Sequence, residues 1–161
     1  MDVEELKQNI NSALDILYNK DGFLIKEGLC ERCIGHRFAI CLELQGFGDG
    51  YFVDCEYNKS HIRGITESKK ISSINGNYID IVITKRDGNI SNDLVCFELK
   101  RWNNYDGRKK DRDNLEVLTG KQSVVGGGIF GYDYGVCVIF GKKRGGTKIS
   151  IYINGNLNTV C

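Results

Sequence analysis

Asn77 to Trp102 reads NYIDIVITKRDGNISNDLVCFELKRW. Two apolar runs of strand length, Tyr78–Thr84 and Leu94–Leu99, flank a polar segment carrying Asp87-Gly88. That pattern predicts a β-hairpin. Side chains alternate along a strand, so Glu98 and Lys100 share one face and Leu99 takes the other. An acid and a lysine at the end of an apolar strand are costly there unless partnered. Asp80, in the neighbouring run, supplies a second carboxylate to the same face. Two close carboxylates repel unless a divalent cation lies between them, and magnesium favours one or two protein carboxylates plus water and phosphate oxygens.

Outward from this hairpin, residues 3–18 (VEELKQNINSALDILY) place Val3, Leu6, Ile10, Leu14 and Leu17 at helical spacing, with acids in the first turn. A turn through Asp21-Gly22 is expected next. Leu29 to Gln45 predicts a second helix with Ile34, Phe38, Cys41 and Leu42 on its apolar side, stopping at the glycine-rich GFGDG. Glu31 falls on the inward side of that helix and calls for a partner. Capping, a salt bridge with Arg32 or Arg37, and a role in a metal site are all open to it. Tyr51–Tyr57 alternates as a strand with Phe52, Asp54 and Glu56 on one face, and Lys59–Asn75 reads as a long polar loop. After the hairpin come a polar stretch, a short helix around Asp111–Lys121 and a glycine-rich turn over Val124–Gly131. An interior strand at Tyr134–Phe140 and a last strand at Thr147–Ile153 complete the chain. The helix between the Glu98 strand and Tyr134–Phe140 requires a parallel crossover, whereas the earlier strands pair antiparallel. The expected class is therefore α/β, a mixed sheet with helices on its faces, in a single domain over residues 1–161.

The chain has 161 residues, 41% hydrophobic and 27% charged, with a formal net charge of +1. No global field advertises a nucleic-acid partner, so any basic surface must be local. No apolar run spans a bilayer and the acidic start is not signal-like, so a cytoplasmic location without membrane partners is the default expectation. Seven cysteines are present. Cys33, Cys41, Cys55, Cys96 and Cys137 lie in apolar or periodic runs and are expected as core thiols. Cys30, Cys33 and His36 invite a zinc reading, but a second ligand pair at finger-like spacing is missing.

Asp80, seventeen intervening residues, then Glu98-Leu99-Lys100 resembles the signature of the PD-(D/E)xK nuclease superfamily, with Ile79 where the family name has proline. The predicted order contains the αβββαβ core of that restriction-endonuclease-like fold, with an extra N-terminal helix and C-terminal strand. The resemblance spans about Leu29 to Phe140 and extends to a group of small bacterial members. It implies a Mg2+-dependent nuclease, with Mn2+ as substitute and DNA favoured over RNA as substrate. It assigns metal binding to Asp80, Glu98 and the Leu99 carbonyl, places Glu31 where a helix glutamate often joins the metal, and gives Lys100 an electrostatic role. For Lys100 the ordinary alternative is a surface lysine paired with Glu98. Phosphate binding falls to Arg101, Trp102, Arg108, Lys109, Lys110 and Arg112, a cluster that could equally be a solvated charge run, with His36 and Arg37 beside it. A homodimer suits a duplex substrate, and a protein partner could supply specificity. The rival reading is a catalytically inactive module of the same fold that binds nucleic acid or a protein.

Overall fold

The computed structural model describes residues 1–57, 59–62, 65–68, 79–87, 89–120, 123–125 and 128–160. Helix α1 (Val3–Lys26) is capped by Asp2, whose carboxylate accepts the N–H groups of Glu4 and Glu5. It does not stop before Asp21-Gly22 as the sequence suggested. Asp21 is held by Arg37 at 2.8 Å and Ile25 is buried, so packing outweighs the roughly 1 kcal/mol that a helical glycine costs. Helix α2 (Glu31–Glu43) follows and buries the expected Ile34, Phe38, Cys41 and Leu42.

Among the described residues ten strands follow in chain order, with one α-helix between the fifth and the sixth. They are β1 (Phe52–Tyr57), β2 (Lys59–Ile62), β3 (Ile65–Ser68), β4 (Ile79–Thr84) and β5 (Asp93–Arg101), then α3 (Arg108–Thr119), β6 (Ser123–Val125), β7 (Gly128–Phe130), β8 (Tyr134–Phe140), β9 (Lys148–Ile153) and β10 (Asn156–Val160). Three expectations are corrected. Part of the supposed loop 59–75 is the β2–β3 hairpin, part of the glycine-rich turn is the β6–β7 hairpin, and β10 extends beyond the strand read as last. Short strands of polar or glycine-rich composition carry little alternating signal, which hides them. Tyr78, Gly88, Lys121 and residues 69–75 lie outside the described residues.

Six strands form one mixed sheet in the order β1-β4-β5-β8-β9-β10. The β4–β5 pair is antiparallel, joined through a 3-10 turn at Ile90–Asn92. The β5–β8 pair is parallel, with Glu98 opposite Cys137 and Lys100 opposite Ile139, and α3 lies between them in sequence. Helices α1 and α2 cover one face, where Leu6, Ile10, Leu14, Ile34 and Phe38 pack with Ile81, Ile83, Val95, Phe97 and Leu99. Phe38 meets Phe97 and Phe140 edge to face at 6.0 and 5.6 Å. Helix α3 covers the other face through Leu115 and Leu118, against Val82, Cys96, Cys137 and Tyr152. Among the described residues no helix is long and apolar enough to cross a membrane.

Tyr18 fastens α1 to the β8–β9 connection. Its hydroxyl donates to the Gly141 carbonyl at 2.7 Å and lies 2.6 Å from Thr147 Oγ1. Tyr18→Phe is expected to lower unfolding stability by about 1 kcal/mol, measured by urea titration, because a half-buried carbonyl loses its donor. An unchanged midpoint would mean that water replaces the hydroxyl without cost.

Candidate functional site

The far end of β5 lies beside the start of α2 and the start of α3, and this junction gathers the charged residues. Leu99 turns toward α2, where Gly35 lets the helix approach: a Cβ on Gly35 would stand 3.2 Å from Leu99 Cδ1. Glu98 and Lys100 turn to the opposite face, toward α3. Asn114 Nδ2 donates to Glu98 Oε1 at 3.4 Å, and Lys100 Nζ lies 3.1 Å from Asp111 Oδ2. Asp80, on the adjoining β4, accepts the Leu99 N–H at 2.7 Å. Glu31, opening α2, accepts the Arg101 N–H at 3.1 Å and the Asn104 amide at 3.2 Å, with Lys100 Nζ at 3.9 Å. Glu31, Asp80, Glu98, Leu99, Lys100 and Asp111 line a cavity of about 610 Å3, with Arg32, His36, Cys55 and Glu56 at its walls.

The structure therefore brings Glu31, Asp80, Glu98 and Lys100 together, and it adds Asp111 and Asn114, which the sequence reading did not select. Their signal was present: an acid and an amide three apart on the face of α3 that also carries Leu115 and Leu118. Lys100 pairs with Asp111 and Glu31, so the alternative pairing with Glu98 is not the one formed. Glu31 bonds Arg101, while Arg32 pairs with Glu56 at 2.9 Å and Arg37 with Asp21. Asp54 is taken by Arg86 at 2.8 Å. Glu56 has φ 48°, so the alternation of β1 breaks there, and Cys55 and Glu56 both line the cavity. Cys33 and Cys55 are exposed rather than core thiols, one in the first turn of α2 and the other on the edge strand β1; Cys41, Cys96 and Cys137 are buried as expected.

Crowding and burial set the protonation of this group. Burial, followed by the charges of Asp80 and Asp111, pushes Glu98 well above the ordinary carboxylate range. Burial also raises Asp80, to about 6, against the lowering effects of the Leu99 N–H and Lys100. Asp111 is raised by its burial despite Lys100. For Lys100 burial alone depresses the ammonium, but Asp111, Glu31 and Asp80 outweigh it and hold the group protonated.

The donor set fits a hard divalent cation. Of the five carboxylates that line the cavity, Glu56 is paired with Arg32; the other four, Glu31, Asp80, Glu98 and Asp111, face Lys100 and Arg101, so the fully ionised cluster carries excess negative charge. Asn114 Oδ1, beside Glu98, is a buried oxygen without a hydrogen-bond donor among the described residues. Every candidate ligand is an oxygen, as magnesium and manganese prefer. Among the described residues no three His, Cys, Asp or Glu side chains already close into a metal cage. Holding an ion would require the acids to stand closer together than they do here.

The proposed phosphate-binding set divides. Arg101 is turned inward, donating to the carbonyls of Gly28 and Leu29. Arg108 binds the carbonyls of Asn104, Arg101 and Trp102 and stacks on Tyr105 at 4.3 Å. Trp102 bonds the Ile25 carbonyl at 3.4 Å, and the Lys142 ammonium covers its ring at 4.4 Å. Arg37 is engaged by Asp21. In this structure these four are engaged with neighbouring groups around the β5–α3 connection and α2. A sequence shows the charge but not the carbonyls that consume it. Lys109, Arg112 and His36 remain exposed and Lys110 half-buried. Searches of protein-family models, curated proteins and solved structures find no match to this chain.

Proposed function

We propose that this chain is a Mg2+-dependent nuclease of the restriction-endonuclease-like class, hydrolysing phosphodiester bonds, DNA in preference to RNA. The observation that carries the reading is the convergence of Asp80, Glu98 and Lys100 with Glu31 at one end of β5. The order α2, β1, β4, β5, α3, β8, with the β2–β3 hairpin as an insertion, supports it by matching the αβββαβ core. Asp80 and Glu98 are the residues to hold the cation, and Glu31 and the Leu99 carbonyl border them. A cation bound there supplies a Lewis acid and a water of lowered pKa. Lys100, kept protonated by Asp111 and Glu31, stabilises negative charge developing on the phosphate. Asp111 positions that ammonium, and Asn114 orients Glu98. Exposed Lys109 and Arg112 meet the nucleic-acid backbone.

The test is incubation with labelled single- and double-stranded DNA and RNA in Mg2+ or Mn2+, against a chelator control. Cleavage is expected only with the divalent ion. Equal cleavage in excess chelator would remove the metal from the mechanism. Binding without cleavage under every condition would make the chain an inactive binding module.

A further inference from the structure

Cys30 and Cys33 bracket Glu31 at the start of α2. Cys30 is the residue before the first helical turn, with φ −49° and ψ 125°, and Cys33 lies within that turn. Both thiols are free and exposed. An i, i+3 pair across a helix start separates the Cα atoms by about 5–6 Å, inside the range a disulfide spans. The extended ψ of Cys30 releases its side chain from the direction a helix interior imposes, where such a bridge would be strained. The buried Cys41, Cys96 and Cys137 have no such access, and Cys55 stands on another element.

We propose that Cys30 and Cys33 are a reversible dithiol–disulfide site that reacts with low-molecular-weight disulfides. One thiol gives up its proton and attacks a sulfur of the small disulfide, whose S–S bond breaks and releases one thiol. The second cysteine then attacks the mixed disulfide, displacing the other small thiol and closing the Cys30–Cys33 bond. The protein loses two electrons and two protons, and the small disulfide gains both. The closed bridge ties down the turn that carries Glu31, whose carboxylate reaches the Arg101 N–H. The chemistry requires only the two thiols and stands apart from the nuclease reading.

The test equilibrates the full chain in buffers of graded reduced-to-oxidised glutathione ratio, followed by acid quench, alkylation, trypsin and mass spectrometry. Trypsin cuts after Arg32, so the oxidised form yields Glu27–Arg32 joined to Cys33–Arg37. That linked pair is expected to grow with oxidised glutathione as a two-electron couple and to vanish in excess reduced glutathione. Cys33→Ser should abolish the link and leave Cys30 with a single glutathione adduct. Full alkylation of both thiols at every ratio overturns the proposal. So does a pair of separate adducts, or a link to Cys55. Protection that appears only with added Zn2+ and is lost to a chelator also overturns it, and makes the pair a metal site instead.

Discussion

Glu98→Gln and Lys100→Ala are each expected to slow phosphodiester cleavage by about a hundredfold or more, while substrate affinity falls far less. Glu98→Gln keeps the side-chain shape and its contact with Asn114 but removes a charge from the proposed metal pair. Lys100→Ala removes the cation proposed to face the phosphate and leaves Asp80 and Glu98 in place. Binding is expected to persist because Lys109 and Arg112 stay exposed on α3. The structure adds a control to the second variant. Asp111 is 3% exposed and its ammonium partner is Lys100, so Lys100→Ala strands a buried acid, at a cost of about 3 kcal/mol. The double variant Lys100→Ala/Asp111→Asn relieves that cost and should recover stability without recovering cleavage. If the wild type cleaves nothing and both single variants bind nucleic acid as tightly as it does, the acids and lysine are structural, and the chain is a binding module.

The second large effect is on stability. In metal-free buffer the folded chain holds the Asp80 proton up to about pH 6, whereas an unfolded aspartate releases it near 3.8. The folded state thus binds more protons between those values, and stability falls as pH rises through that window. Above it the full penalty is present, at most about 3 kcal/mol for a shift of this size and shared with the coupled Glu98. Asp80→Asn should therefore be more stable than wild type above pH 7 and lose that advantage near pH 4, as urea titrations at both pH values would record. Millimolar Mg2+ at pH 7.5 should raise the wild-type midpoint and leave that of Asp80→Asn nearly unmoved. A wild type that is more stable than Asp80→Asn at pH 8 without metal would sink this account of the cluster.

The sequence made the hairpin and the helices legible because their residues repeat. Alternation set Glu98 and Lys100 against Leu99, and helical spacing chose the buried side of α2; both are what the structure holds. The mixed sheet followed from one crossover helix between two apolar runs. The partners inside the site were harder to read, because they depend on contacts between distant segments. Nothing local in Arg101 or Arg108 shows that Gly28, Leu29 and Asn104 present their carbonyls to them. Asp111 looked like one more charge in a basic run until the fold set it beside Lys100. The short hairpins and β10 escaped for a different reason: three to five residues contain too few alternations to separate a strand from a loop.

The contact between Tyr18 and the Gly141–Thr147 connection also bears on how the chain is made. Helix α1 leaves the ribosome well ahead of β8 and β9, the elements that complete its surroundings. Until they arrive, the cluster around Leu6, Ile10, Leu14 and Leu17 can draw on α2, β4 and β5 but lacks Val136, Val138, Phe140, Ile149 and Ile151. Synthesis at about 5–20 residues per second separates Tyr18 from Gly141 by roughly 6 to 25 seconds. During that interval the incomplete cluster leaves apolar surface uncovered, the kind of surface that chaperones bind in general.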